Sequence, residues 1–350
     1  MEYLNDDASA LTIEAMALVI SNLTNKLSEY ETVHADMLFG EFLLRWIDTK
    51  KVDIQSNTMY EYKKIMNKHL IPYFNEKGIT LQSINTKIIE EYYQYKLRIG
   101  MCSNTLVKHH AQLHTALTYA FVHDMIPNNP MLKVNRPKTV EYHSSFYSIR
   151  EAQELLSKAQ DNKYYVPIVL AITLGLRRSE IVGLMWRSIN LSEGSIKIEN
   201  KTIHDGGKEV TMSKMKNETS YRILVMPTQL TEFLSNLYLK QSKIKEAAEA
   251  DKLNNFEYVC LDDNGKRLTL NGITCAFPEL LNKLGMPKLR FHDLRHTCAS
   301  ILVNNGCSMK QIQDWLGHSN YATTAKVYAH LDMNSKEKVA AKIDGLLQIP

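Results

Sequence analysis

RFHDLRHTCAS, residues 290–300, places Arg290, His292, Arg295 and His296 within seven positions. His292, Arg295 and His296 fall at i, i+3 and i+4, so in a helix the three side chains share one face. Two more stretches have the same basic and hydroxyl-rich character. In TLGLRRSEIVGLMW, residues 173–186, Gly175 breaks one helix and Arg177 stands at the mouth of the next, one helical turn from Glu180. In WLGHSNYATTAKVYAHL, residues 315–331, His318 follows a glycine and Tyr328 lies ten residues further on. Each piece alone has an ordinary reading: a helical ion pair, a histidine cap, a packed tyrosine. Their order is more informative than any one of them.

That order, Arg177, then His292-x-x-Arg295, then Gly317-His318, then Tyr328, resembles the catalytic domain of the tyrosine recombinases, the phage integrase family. The resemblance extends from about residue 36 through nearly the whole chain. It implies that Arg177 and Arg295 are paired catalytic arginines, that His292 and His318 are the two histidines, and that Tyr328 is the nucleophile. Glu180 matches the acidic position after the first arginine. The family's catalytic lysine precedes a strand, here within SKMKNETSYRILVMP, residues 213–227. Lys216 is the better match when anchored on Arg222, and Lys214 is the other candidate. His296 either supports the site or braces the fold.

The chemistry of these residue types agrees with the resemblance. A phosphodiester gains negative charge on the way to its pentacoordinate transition state, so two guanidiniums on its non-bridging oxygens stabilise that state more than the ground state. A tyrosine hydroxyl attacking phosphorus needs a proton acceptor, for which His292 is placed by its box, while His318 can donate to a phosphate oxygen. An ammonium such as Lys216 can protonate the departing 5′ oxygen. The 3′-phosphotyrosyl bond that results retains the energy of the phosphodiester, so rejoining needs neither metal nor nucleotide cofactor.

Outward from these motifs the chain reads as mainly helical. Residues 1–35 carry a net charge of −5 and the apolar set Leu11, Ile13, Met16, Val19, Ile20, Leu23 and Leu27, which predicts an acidic leader helix. Its length and charge do not suit the additional DNA-binding domain that many family members carry at this end. Residues 36–133 predict an all-helical domain. One helix stops before Pro72, another is capped by Thr86, and a third follows Ser103. Residues 134–145 lack periodicity and contain Pro137, which predicts a linker. Residues 146–333 predict a second, mainly helical domain opened by a capping box at Ser148 and Glu151. Alternation in SIKIE (195–199) and YRILV (221–225) predicts two strands of a small three-stranded antiparallel sheet. Residues 334–350 predict an amphipathic tail helix that docks on its own domain or on a neighbouring protomer. Met16, Met101 and Met125 belong to apolar stripes and are expected in cores. The fold class is thus mainly α with a small antiparallel β-sheet, a helical core-DNA-binding domain preceding a tyrosine-recombinase catalytic domain.

Composition narrows the classes further. The chain is 44% hydrophobic and 23% charged with a net charge of +4, and no apolar run approaches the roughly 20 residues that span a bilayer. Five cysteines, none in a CxxC pair and with no signal peptide before them, fit a reducing cytoplasm of a bacterial or phage-infected cell. The function that follows is site-specific recombination, by integration or excision, on double-stranded DNA attachment sites. The family implies a homo-tetramer on two duplexes, with accessory directionality or DNA-bending proteins as further partners, no metal and no cofactor. Three rivals use the same residues. A type IB topoisomerase would relax DNA by similar chemistry. A DNA-binding protein could have lost catalysis, against which the complete residue set argues. HDLRH also satisfies the His-x-x-x-His of a zinc hydrolase through His292 and His296, although Asp293 stands where that motif has glutamate.

Overall fold

The computed structural model describes residues 16–21, 37–50, 54, 56–140, 145–205, 207–213, 221–246 and 255–317. Lys214, Lys216, His318, Tyr328, the tail over 334–350 and most of the acidic leader lie outside the described residues. The chain divides into two compact units, residues 1–142 and 143–350.

The first unit is helical. α1 (Phe39–Thr49) buries Phe39, Phe42, Leu43, Trp46 and Ile47 along one stripe. α2 (Ser56–Ile65) does not stop before Pro72, as its proline predicts. It widens into a π turn over Met66–Leu70 and continues as α3 (Ile71–Glu76), with Pro72 in that helix's first turn. The wide turn shifts the hydrogen-bond register just where Pro72 has no N–H to give. α4 (Thr86–Arg98) is capped by Asn85, whose Oδ1 accepts from Ile88 N at 3.1 Å, and not by Thr86, whose hydroxyl donates to the Pro130 carbonyl at 3.2 Å. α5 (Ser103–Val122) follows as predicted. Inside, Phe39, Phe42, Phe74 and Tyr92 stack at 5.0–5.8 Å, in the offset and edge-on arrangements aromatic rings favour. Met101 and Met125 pack against this core. Met16 does not sit in a core: it is 64% exposed in the short helical stretch 16–21.

The second unit opens with α6 (Ile149–Lys158), and the capping box forms: Glu151 N donates to Ser148 Oγ and Ser148 N donates to Glu151 Oε2. α7 (Tyr165–Thr173, YVPIVLAIT) is apolar on nearly every side and is accordingly packed among α6, α8 (Arg178–Gly183) and α11 (Asp293–Asn304). The predicted three-stranded sheet is present as β1 (Ile189–Asn190), β2 (Ser195–Ile198) and β5 (Arg222–Val225), antiparallel in that order, with Ile198 opposite Arg222. Between its last two strands lies a hairpin that the sequence pattern did not reveal, β3 (Lys201–Asp205) paired with β4 (Lys208–Met212). Gly183, the last residue of α8, lies against the backbone of Lys201 and Thr202, where a Cβ would come within 2.9 Å. Arg267 reinforces this join. Its Nη2 lies 3.0 Å from the Val182 carbonyl and 2.6 Å from the Thr211 hydroxyl, and its guanidinium covers the Tyr258 ring at 3.7 Å. α9 (Thr228–Glu246), α10 (Leu270–Lys283) and α12 (Met309–Leu316) complete the described α-helices of this unit.

Candidate active site

Arg177 and Glu180, from the start of α8, and His292 and Arg295, from the start of α11, are brought together in the second unit. α7 ends in a turn at Gly175, which adopts φ +61, and the chain reverses so that Arg177 becomes the N-cap residue of α8. Glu180, three residues on, turns back on it. Its Oε2 accepts from Arg177 N at 2.9 Å and its Oε1 from Arg177 Nη1 at 2.7 Å. This is the acidic half of a capping box, and a carboxylate at a helix N-terminus is favoured by the exposed amides there.

Glu180 has a second arginine on it. Arg222 faces inward from β5, with Nη2 3.1 Å from Glu180 Oε2 and Nη1 3.4 Å from Oε1. Burial alone would push the Glu180 carboxyl upward, but Arg222, Arg177 and Arg295 together hold it below the usual carboxylate value.

Arg295, on α11, is almost wholly buried and donates from Nη1 to the Gly175 carbonyl at 2.6 Å and from Nη2 to the Leu316 carbonyl at 2.7 Å. Arg177 Nη2 donates to the next carbonyl, Gly317, at 2.7 Å. The two guanidiniums are therefore neighbours, bound to consecutive residues of one helix end. Burial, and then repulsion from Arg177, pulls Arg295 down to about 9, still well above neutrality. Arg177 keeps 31% of its side chain exposed, so this guanidinium opens to solvent.

His292 is the N-cap residue of α11, and its ring meets that of His296 edge-on at 5.5 Å. Burial, reinforced by His296 and Arg295, lowers His292 to about 4, which makes it a neutral imidazole at physiological pH. His296 is lowered as well, chiefly by burial. Asp293, fully buried between them in sequence, is taken by Arg290, which donates from Nε at 2.9 Å and from Nη2 at 2.8 Å. With Asp293 committed to Arg290 and the Arg295 charge beside His292, the pair His292 and His296 is a poor cation site. Among the described residues no three His, Cys, Asp or Glu side chains gather as ligands would around a metal.

Arg222 is the residue whose part in the site sequence reading missed, since it served there only to align the lysine. The available signal was its phase. Arg222 and Leu224 alternate inward on β5 while Ile223 and Val225 face out, so a charge occupies an inward position of a strand.

Comparison with known proteins places the chain in a family. The phage integrase family matches residues 146–335, and the phage integrase N-terminal SAM-like domain matches residues 38–97. The chain belongs to the phage integrase family, the tyrosine site-specific recombinases. It is 24% identical over 331 residues to a tyrosine recombinase XerC-like protein of Caldanaerobacter subterraneus subsp. tengcongensis, across 89% of this chain and 84% of that one. It is likewise 24% identical over 312 residues to the ICEBs1 integrase of Bacillus subtilis, across 88% and 83%. Its fold is similar to that of the Tn1549 transposon integrase solved in complex with a circular intermediate DNA, with a TM-score of 0.72 at 20% identity, covering 89% of this chain and 100% of that one. No described helix is long and apolar enough to cross a membrane.

Proposed function

We propose that this protein cuts and rejoins double-stranded DNA at specific attachment sites through a 3′-phosphotyrosyl intermediate. The observation that carries the reading is the pairing of Arg177 and Arg295 on the consecutive carbonyls of Gly317 and Leu316, with the neutral His292 beside them. Two guanidiniums fixed side by side concentrate positive charge at one point, which suits an anion whose charge grows during reaction.

In the proposed mechanism Arg177 and Arg295 hold the non-bridging oxygens of the scissile phosphate, and Glu180 orients Arg177. The Tyr328 hydroxyl attacks phosphorus, its proton passing to His292, whose basicity rises when the phosphate charge arrives. His318 donates to a phosphate oxygen. The bond to the 5′ oxygen breaks, and Lys216, or Lys214 in its place, supplies the proton to that oxygen. Attack by the 5′ hydroxyl of another strand reverses these steps and regenerates Tyr328. His296 supports His292 by packing against it.

Recombination joins two duplexes, so four protomers act together in this reading, with accessory proteins setting direction and the tail over 334–350 packing on its own or a neighbouring protomer. The working compartment is the reducing cytoplasm of a bacterial or phage-infected cell, in keeping with five free thiols.

The test is a covalent trap. The protein is mixed with a library of nicked duplexes in excess EDTA and denatured, and DNA retained on wild type is compared with that on Tyr328→Phe. Adducts that require Tyr328 are expected, and sequencing them identifies the site. Cleavage by Tyr328→Phe, or adducts that require zinc, would overturn the reading. Arg177→Ala and Arg295→Ala should each slow adduct formation by several hundredfold or more, corresponding to roughly 3–4 kcal/mol of transition-state stabilisation.

A further inference from the structure

The last carbonyls of a helix have no amide of their own helix to accept from. α12 ends on Gly317, in the left-handed conformation at φ 67, and three of its terminal carbonyls are taken by three arginines from three different elements. Arg222 of β5 donates from Nε to Trp315 O at 2.9 Å, Arg295 of α11 from Nη2 to Leu316 O at 2.7 Å, and Arg177 from Nη2 to Gly317 O at 2.7 Å. The positive groups also meet the negative end of the helix dipole, which offsets part of their mutual repulsion.

Arg222 differs from the other two. It is buried like Arg295, but all three of its guanidinium nitrogens are committed within the protein, Nε to Trp315 O and both Nη to the Glu180 carboxylate, so it does not present its fork to a substrate. Like Arg177, it joins the helix end to Glu180, through Nε on Trp315 O and Nη2 on Glu180 Oε2 at 3.1 Å. The planar guanidinium makes both bonds from one rigid fork, which a lysine ammonium cannot reproduce. In the chain, Gly317 is followed at once by His318 and, ten residues later, by Tyr328.

We propose that Arg222 is a positioning residue for strand transfer: it locks the end of α12 to Glu180 and so sets the register between the phosphate-gripping arginines and the chain that delivers His318 and Tyr328. This assignment rests on the recombinase reading of the site. It requires that loss of the fork slow cleavage of bound DNA without weakening binding to the same extent, since Arg222 itself touches no substrate.

Two measurements on the full chain test it. Single-turnover adduct formation is followed at saturating concentrations of a nicked duplex recovered from the wild-type trap, alongside the dissociation constant for that duplex. Amide exchange of residues 313–317 is followed without DNA. Arg222→Gln and the charge-retaining Arg222→Lys are both used, so that one folded variant suffices for the test. The expected result is binding within twofold of wild type, adduct formation at least 30-fold slower, and exchange at the α12 end at least tenfold faster in both variants. Adduct formation within threefold of wild type, unchanged exchange at the helix end, or full recovery by Arg222→Lys would overturn the assignment. A wild type that forms no Tyr328 adduct would instead sink the recombinase reading, and the exchange data would still decide whether Arg222 holds the helix end.

Discussion

The Glu180 carboxylate and the Arg222 guanidinium face each other as a fork, Nη2 to Oε2 at 3.1 Å and Nη1 to Oε1 at 3.4 Å, with both side chains buried. The acid that steadies Arg177 is thereby fixed from the sheet as well as from its own helix. Glu180 pairs with both Arg177 and Arg222, so the stability of this arginine cluster depends on its charge.

Glu180→Gln should therefore be strongly destabilising, by about 3 kcal/mol or more, because it leaves buried guanidiniums without their counter-charge. The carboxyl is held below its ordinary value of 4.5. Its contribution is then fully present above that pH and is lost as pH falls through the lower, folded-state value. Urea unfolding across pH 3–7 should show wild type losing stability toward the acid end and the variant losing less. A variant as stable as wild type at pH 7 would contradict the ion-pair account.

His292, lowered to about 4 from 6.5, should titrate far below a free imidazole. For a base depressed by folding, stability is complete above 6.5 and declines as pH falls from there toward 4, because the unfolded chain takes up the proton first. The check is an NMR titration of the His292 ring, which should stay neutral down to about pH 5 in the free protein and shift upward when sulfate binds. A midpoint near 6.5 without anion would show that the ring is not desolvated.

An oxyanion should stabilise the folded protein. Arg177, Arg222 and Arg295 gather their positive charge at one end of α12, and a ligand that binds only the native state raises its unfolding free energy by mass action. Sulfate at a hundred times its dissociation constant should add about 2.7 kcal/mol, visible as a higher thermal midpoint than in chloride of equal ionic strength. Arg177→Ala should abolish most of the difference. An equal response to both salts in wild type would indicate general screening instead.

Gly175→Ala should cost more than Gly285→Ala, although both positions have positive φ, +61 and +66. At Gly285 the added Cβ meets open space, so only the backbone strain of roughly 1–2 kcal/mol is expected. At Gly175 it would run into Leu316 Cδ2 and crowd Cys298 Sγ, on the residue whose carbonyl takes Arg295. Thermal unfolding should separate the two variants by several degrees, and Leu316→Ala should recover part of the Gly175→Ala loss by removing the clash. Equal costs would mean that the turn relaxes away from α12.

Much of this protein is written locally. The Ser148–Glu151 box, the α5 helix after Ser103 and the inward–outward alternation of β2 and β5 follow from contacts within a few residues, and each is legible in the chain itself. Arg177, Glu180, His292 and Arg295 were legible through their order and spacing, a pattern that marks the family without giving any distance. The β3–β4 hairpin escaped because the one buried position in its two strands, Thr202, is polar, so there is no apolar alternation to read. Pro72 misled because the π turn that accommodates it has no sequence signature comparable to a proline's. The part played by Arg222 could not be read at all: its partners, Glu180 and Trp315, lie 42 and 93 residues away. The sequence by itself determined the family and the order of the side chains proposed to act on a phosphate. Only the tertiary structure decided how they are held, because a guanidinium's effect depends on which distant carbonyls and carboxylates the fold brings within 3 Å of it.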